Sequence, residues 1–196
     1  MLRIVLLFLF FFHQVLAQTP PEFEPSTKER LGVSFGHNGR VHPGAKIPKY
    51  EANHKPRLDL KSVAEIPPFG RHRARYLVLM IDLDVPRNDT TVPLLHWYQP
   101  DFIIKDKKTR ALSVQHFSKR EKAKYIAPSP PPGDSAHRYV QILFEQPDRY
   151  IFPPEFDKYL GKNPEARMGF EIKGFIRAAG LGEPVAGSWF LVQTLK

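Results

Sequence analysis

The segment Tyr76-Leu77-Val78-Leu79-Met80-Ile81 has no polar face and stops at Asp82. An apolar run this short, rich in β-branched and aromatic residues, predicts a strand covered on both sides. Residues 139–145, Tyr-Val-Gln-Ile-Leu-Phe-Glu, repeat the pattern and predict a second buried strand. A third runs from His96 through Trp97 and Tyr98, past Pro100, to Phe102-Ile103-Ile104; Pro100 cannot donate to a ladder, so a bulge or an edge position is predicted there. Residues 188–193 give a last strand. From Leu31 onward, short β-like pieces separated by Gly36, Gly39, Pro43, Gly44 and Pro48 predict a meander. Helical spacing occurs twice. Pro153 and Pro154 open a short helix carrying Phe156, Tyr159 and Leu160, stopped by Gly161. Met168, Ile172, Phe175, Ile176 and Ala179 form a longer one ended by Gly180, in which Gly174 costs about 1 kcal/mol relative to Ala. The pattern predicts a mostly β protein with one or two peripheral helices and no internal repeat.

The first residues stand apart from this pattern. Arg3 precedes the apolar run 4–12, and Val15 and Ala17 supply small residues at the spacing read by a signal peptidase, which predicts cleavage after Ala17 and secretion. The run is far below the ~20 apolar residues of a spanning helix, so the processed chain is expected not to be transmembrane. Residues 18–30 are polar and proline-bearing and predict a flexible or surface-tracking lead-in. Residues 31–196 then form one domain, since roughly 180 residues after processing suit a single substantial core. With no cysteine, that core holds the fold without disulfides. On the secretory route, Asn88-Asp89-Thr90 becomes an acceptor for N-glycosylation in a loop.

Charge narrows the partners. Losing Arg3 with the leader leaves 28 Lys and Arg against 20 acids, a formal charge of +8, which favours acidic partners. The excess is local: residues 105–124 hold eight Lys or Arg, and Arg71, Arg73 and Arg75 crowd another run. Such blocks serve as solvated surface or as a patch for an anionic surface. Nucleic acid is disfavoured, because no RNA-recognition signature, zinc finger or basic zipper accompanies the charge.

Candidate chemistry gathers at strand ends. Asp82 and Asp84 lie two apart, so they are expected to project together until Pro86 turns the chain away. His96 and His137 head two other strands. The loop before His137, Ala127-Pro128-Ser129-Pro130-Pro131-Pro132-Gly133, is stiffened by its prolines and suits a pocket wall. A carboxylate against an imidazole fixes its tautomer and holds it cationic nearer neutral pH, which favours an anion, with phosphate the natural candidate. His37, His42, His54, His72 and His116 carry no such context. Two His and an Asp suit zinc, but the spacing is not that of a metal site, and no metal or other cofactor is expected. No Gly-x-Ser-x-Gly elbow is present for a hydrolase.

Asp82-x-Asp84-x-Pro86, then Leu95-His96-Trp97, then Pro131-Pro132-Gly133 leading to His137-Arg138-Tyr139 occur in an order that resembles the phosphatidylethanolamine-binding protein family. The likeness extends from about Leu31 to Gln193 through Val41-x-Pro43-Gly44 and residues 180–185. It implies a central antiparallel sheet, a smaller second sheet and peripheral helices. It also implies an anion pocket on Asp82, His96 and His137, with Asp84, Pro86, Pro130 and Tyr139 around it. Members are mostly binders, scaffolds or inhibitors of kinases and serine peptidases.

This chain departs from that pattern at Leu83, Val85 and Ser129, which touches pocket shape more than fold. The leading expectation is a secreted, non-catalytic protein binding a small anionic or phosphorylated ligand, such as a phospholipid headgroup. The alternatives are a serine carboxypeptidase inhibitor or scaffold using its basic loops, and a pocket recruited to a non-hydrolytic step in small-molecule biosynthesis. In all of these Arg138 is expected mainly to brace the structure.

Overall fold

A computed structural model describes residues 17–36, 39–64, 66, 74–114 and 123–195. The leader up to residue 16, His37, His72, His116, Arg71, Arg73 and residues 115–122 of the basic run lie outside the described residues.

Among the described residues, eight strands form two sheets. They are β1 (Gly32–Ser34), β2 (Ala45–Lys46), β3 (Arg57–Asp59), β4 (Tyr76–Arg87), β5 (Thr90–Ile104), β6 (Leu112–Val114), β7 (His137–Glu145) and β8 (Ala186–Val192). The large sheet has the order β2-β8-β7-β4-β5-β6, and β1 and β3 pair as a small second sheet. All pairings are antiparallel except β2 with β8. The mostly β reading, with a second small sheet and peripheral helices, therefore holds.

The two-sided apolar runs explain why β4 and β7 sit at the centre. Along β7, Tyr139 and Leu143 enter one buried layer with Val33, Phe35, Leu58 and Leu60 from the small-sheet side. Val140, Ile142 and Phe144 enter the opposite layer, beneath Phe156, Tyr159, Phe170 and Phe175. Each strand is covered on both faces, as a continuous apolar run requires.

The lead-in tracks across the sheet. Phe23 and Thr19 are buried, and the Gly187 N–H donates to the Glu29 carbonyl at 2.9 Å. A Cβ on Gly187 would meet Thr27 Cγ2 at 2.8 Å, so this close approach needs glycine.

Two local expectations are corrected. Pro86 does not turn the chain: β4 continues to Arg87, and the reversal falls at Asn88 and Asp89, whose φ values are +45° and +52°. Of the bulge or edge position expected at Pro100, the bulge forms: Pro100 sits inside β5, Asp101 has φ +63° and the register with β4 slips. The longer helix starts later than its spacing predicts, as α1 (Ile172–Ala178), because Gly169 takes φ +71° and leaves Met168 extended. Gly180, at φ +61°, ends α1 as expected, with the Leu181 N–H reaching the Ile176 carbonyl at 3.0 Å. The segment after Pro153 forms a 3-10 helix, Pro154–Leu160, that buries Phe156 and Tyr159.

Candidate functional site

Register builds the site. Asp82 on β4 stands opposite Tyr139 on β7, which stands opposite Phe190 on β8. His137 opens β7 opposite Val192. On the other side of β4 the pairing steps from Met80↔Trp97 to Ile81↔Leu95, leaving His96 as the extra residue of a bulge. A bulge re-aims the residue it frees. The His96 carbonyl accepts from the Ile126 N–H at 2.8 Å, outside the β4 ladder, and its ring turns to Asp82 and Tyr139.

A second slip separates the two acids. Between Asp82↔Leu94 and Val85↔Val92, two residues of β4 face Pro93 alone, and strict alternation breaks there. Asp82 remains in the histidine group. Asp84 instead accepts from the Arg138 backbone N–H at 2.8 Å and from its guanidinium at 2.6 Å. Arg138 borders a cleft of about 350 Å³ on the opposite face, lined also by Phe23, Ile81 and Phe170. The two acids thus do not project together as the two-residue spacing predicts.

In the central group, Asp82 Oδ2 accepts from His137 Nδ1 at 2.9 Å and lies 3.8 Å from His96 Nε2. His96 Nδ1 donates to the Ile126 carbonyl at 2.8 Å, which fixes the neutral tautomer with its lone pair on Nε2. That lone pair is buried and has no partner among the described residues. The Tyr139 hydroxyl is flanked by the Asp82 carboxylate and the Ser129 backbone, with neither at full hydrogen-bond geometry. Asp82, His96 and His137 are each no more than 3% exposed. Entry therefore requires a side chain to move.

The histidines are driven in opposite directions. Burial pulls both down; for His96 it prevails over the Ile126 hydrogen bond and the Asp82 charge, so this ring stays neutral below the usual histidine range. For His137 the hydrogen bond and charge of Asp82, helped by Asp84 and Asp134, overcome burial and hold the imidazole above its ordinary value. Burial also raises the Tyr139 phenol, and the Asp82 charge adds to it. The group thus brings together an imidazole whose protonated form Asp82 favours, one phenol and one bare imidazole nitrogen. A group with both an anionic oxygen and an acidic proton would match all three.

Of the residues picked out in the sequence, Asp82, His96, His137 and Tyr139 meet. Pro130 is buried in the proline loop, next to Ser129. Asp84 braces Arg138, and Pro86 lies exposed on the hairpin, opposite Thr91. Two contributors were missed. Asp134, three residues before His137, brings Oδ2 to 3.7 Å from His137 Nε2; the i, i+3 spacing was a weak hint. Arg167 is buried and ties the Gly161 and Lys124 carbonyls at 2.6 Å each, its Nη1 also reaching the His96 carbonyl at 3.4 Å. Nothing local in the sequence marks it. Among the described residues no cluster of three His, Cys, Asp or Glu has metal-holding geometry.

A match to the phosphatidylethanolamine-binding protein family covers residues 37–190, and the chain belongs to that family. It is 48% identical over 182 residues, 91% of each chain, to the phomoidride biosynthesis cluster protein N of Talaromyces stipitatus. It is 45% identical to a protein of the same name from another fungal species, over 86% of this chain and 73% of that one. Among solved structures, a carboxypeptidase Y inhibitor complexed with its cognate proteinase superposes with a TM-score of 0.61 at 19% identity, covering 84% of this chain and 82% of that one. At that identity the likeness speaks for the fold alone.

Proposed function

We propose that this protein binds and orients a small acid in a small-molecule biosynthetic pathway, through the group Asp82, His96, His137 and Tyr139. The observation that carries the reading is the meeting of a raised-pKa His137 with a His96 Nε2 that has no partner among the described residues, both on one carboxylate. Donor and acceptor side by side suit a singly ionised acid, with its anionic oxygen toward His137 and its remaining proton toward His96. Hydrogen phosphate esters and half-ionised dicarboxylic acids share that chemistry. The biosynthetic setting is carried over from the names of the 48% and 45% identical relatives. Calorimetric titration with inorganic phosphate and, separately, with succinate tells the two acid types apart. His137→Ala should abolish the heat of binding at a temperature where the variant, destabilised by loss of the Asp82 hydrogen bond, still shows the parent's circular-dichroism spectrum. Equal binding curves for both proteins would remove the role.

We also propose that the chain is secreted and glycosylated. The leader pattern supports cleavage after Ala17, and the sequon supports modification because Asn88 is exposed at a hairpin tip. Mass spectrometry of material from a secreting host reads both; an intact leader with an unmodified Asn88 rejects them.

A further inference from the structure

His137 stands between two carboxylates. Asp82 holds Nδ1 at 2.9 Å from the core side, and the partly exposed Asp134 approaches Nε2 at 3.7 Å from the solvent side. An anion reaching the cationic ring must come to Nε2, since Nδ1 is taken. That position is already filled by a negative oxygen of the protein's own chain. The approach stops short of a hydrogen bond, and Asp134 Oδ2 finds no other partner among the described residues although the atom is buried. It is held near the imidazole by charge alone. The rest of the Asp134 side chain is 34% exposed, so the carboxylate has solvent to swing into.

The backbone beneath it is fixed. The Asp134 carbonyl accepts from Gln193 Nε2 at 2.8 Å, and Gln193 Oε1 in turn accepts from Lys46 Nζ at 2.6 Å. Gly133 supplies the turn at φ +93°, and the Asp134 N–H donates back to the Pro131 carbonyl at 3.3 Å. With the main chain tied to Gln193 just past β8 and stiffened by prolines, the free movement left to Asp134 is rotation of its side chain.

We propose that Asp134 is a built-in competitor: its carboxylate occupies the place of the ligand's anionic oxygen on His137, and binding proceeds by its rotation out to solvent. The inference rests on the acid-binding reading above. It makes Asp134 a specificity-determining residue. A weak or fully neutral ligand cannot displace the internal carboxylate, whereas an acid that also offers a proton to His96 gains a contact that Asp134 does not make. Charge balance points the same way. With Asp134 in place, His137 faces Asp82 and Asp134 together, while Asp84 is spent on Arg138 and His96 is neutral. An anion arriving at Nε2 meets the Asp134 carboxylate directly unless that side chain leaves.

The test is Asp134→Asn, which keeps shape and removes charge, measured against the parent protein with inorganic phosphate and with succinate. Affinity for whichever acid the parent binds should rise on the order of tenfold, and the His137 ring should titrate lower by NMR, because one of the charges raising it is gone. Unchanged affinity with a lowered His137 titration overturns the competitor role while leaving the acid-binding reading intact. An unchanged His137 titration overturns the contact itself. If neither protein binds either acid, the acid-binding reading fails and this inference fails with it.

Discussion

Asp84 grips Arg138 twice, at the main-chain N–H at 2.8 Å and at the guanidinium Nη2 at 2.6 Å, so one carboxylate fixes both the start of β7 and the side chain beside it. Burial alone would raise the Asp84 carboxyl, but the Arg138 hydrogen bonds outweigh it and hold it below the ordinary value of 3.8. Asp84→Ala should cost about 1 to 3 kcal/mol in urea unfolding. Arg138→Ala should cost less, because its side chain is 39% exposed and screened and the backbone bond survives. A folded pKa below the unfolded one means this contribution is present above about 3.8 and fades as pH falls through the folded value. Equal stability of the parent and Asp84→Ala at pH 7 contradicts the brace.

The two histidines should pull stability in opposite directions over one pH window. His137 is raised in the folded state, so its contribution is full below the ordinary value of 6.5 and is lost as pH climbs through the folded pKa. His96 is lowered, so below 6.5 the unfolded chain takes up a proton that the folded chain refuses, and the fold loses stability. His137→Gln should therefore be more damaging at pH 5 than at pH 8, and His96→Gln less so. Chemical unfolding of both variants at the two pH values decides it; parallel shifts contradict the assignment.

A row of polar groups crosses the inner layer two residues along β4, β7 and β8 from Asp82, Tyr139 and Phe190. Trp97, Met80, Gln141 and Ser188 are successive cross-strand neighbours on β5, β4, β7 and β8. Among the described residues, Trp97 Nε1, Gln141 Oε1 and Ser188 Oγ have no partner, and Gln141 Nε2 reaches the Met80 sulfur at 3.6 Å. Burying such groups opposes folding. Ser188→Ala is accordingly expected to leave stability within about 0.5 kcal/mol or to raise it by about 1 kcal/mol. A loss above that, by thermal or urea unfolding, would show that the hydroxyl has a bonding role.

Much of this arrangement was legible in the chain. The apolar runs 76–81 and 139–145 declared central strands because a side chain buried on either face leaves no alternation to read. The ordered motifs named Asp82, His96, His137 and Tyr139. What stayed hidden depends on register between strands, which no single segment encodes. The bulge that aims His96 inward exists only as a mismatch between β4 and β5, and the slip opposite Pro93 sends Asp84 to Arg138 instead of the histidines. Asp134 was hidden for a related reason: its contact depends on the path of the proline loop, set by Gln193 more than fifty residues away in sequence.

The β4–β5 hairpin offers the sharpest check of backbone conformation. Arg87 pairs with Thr90, so Asn88 and Asp89 are the whole turn, and φ values of +45° and +52° make it the type I′ form that suits the twist of the flanking strands. Asn tolerates the left-handed region, and Asp less well; glycine at the second position carries no Cβ penalty there. Asp89→Gly should raise stability by about 0.5 kcal/mol, or the one to two degrees in Tm that follow for a domain of this size. It also retains the Asn88-x-Thr90 sequon, so glycan occupancy and turn geometry can be varied separately. Asp89→Ala should go the other way by about 1 kcal/mol, because the added Cβ keeps the strain and gives up the local polar contacts that let Asp adopt it. If Gly and Ala variants melt together, the turn is not in the left-handed form, and the register of the two strands that bring Asp82 and His96 to one place would have to be redrawn.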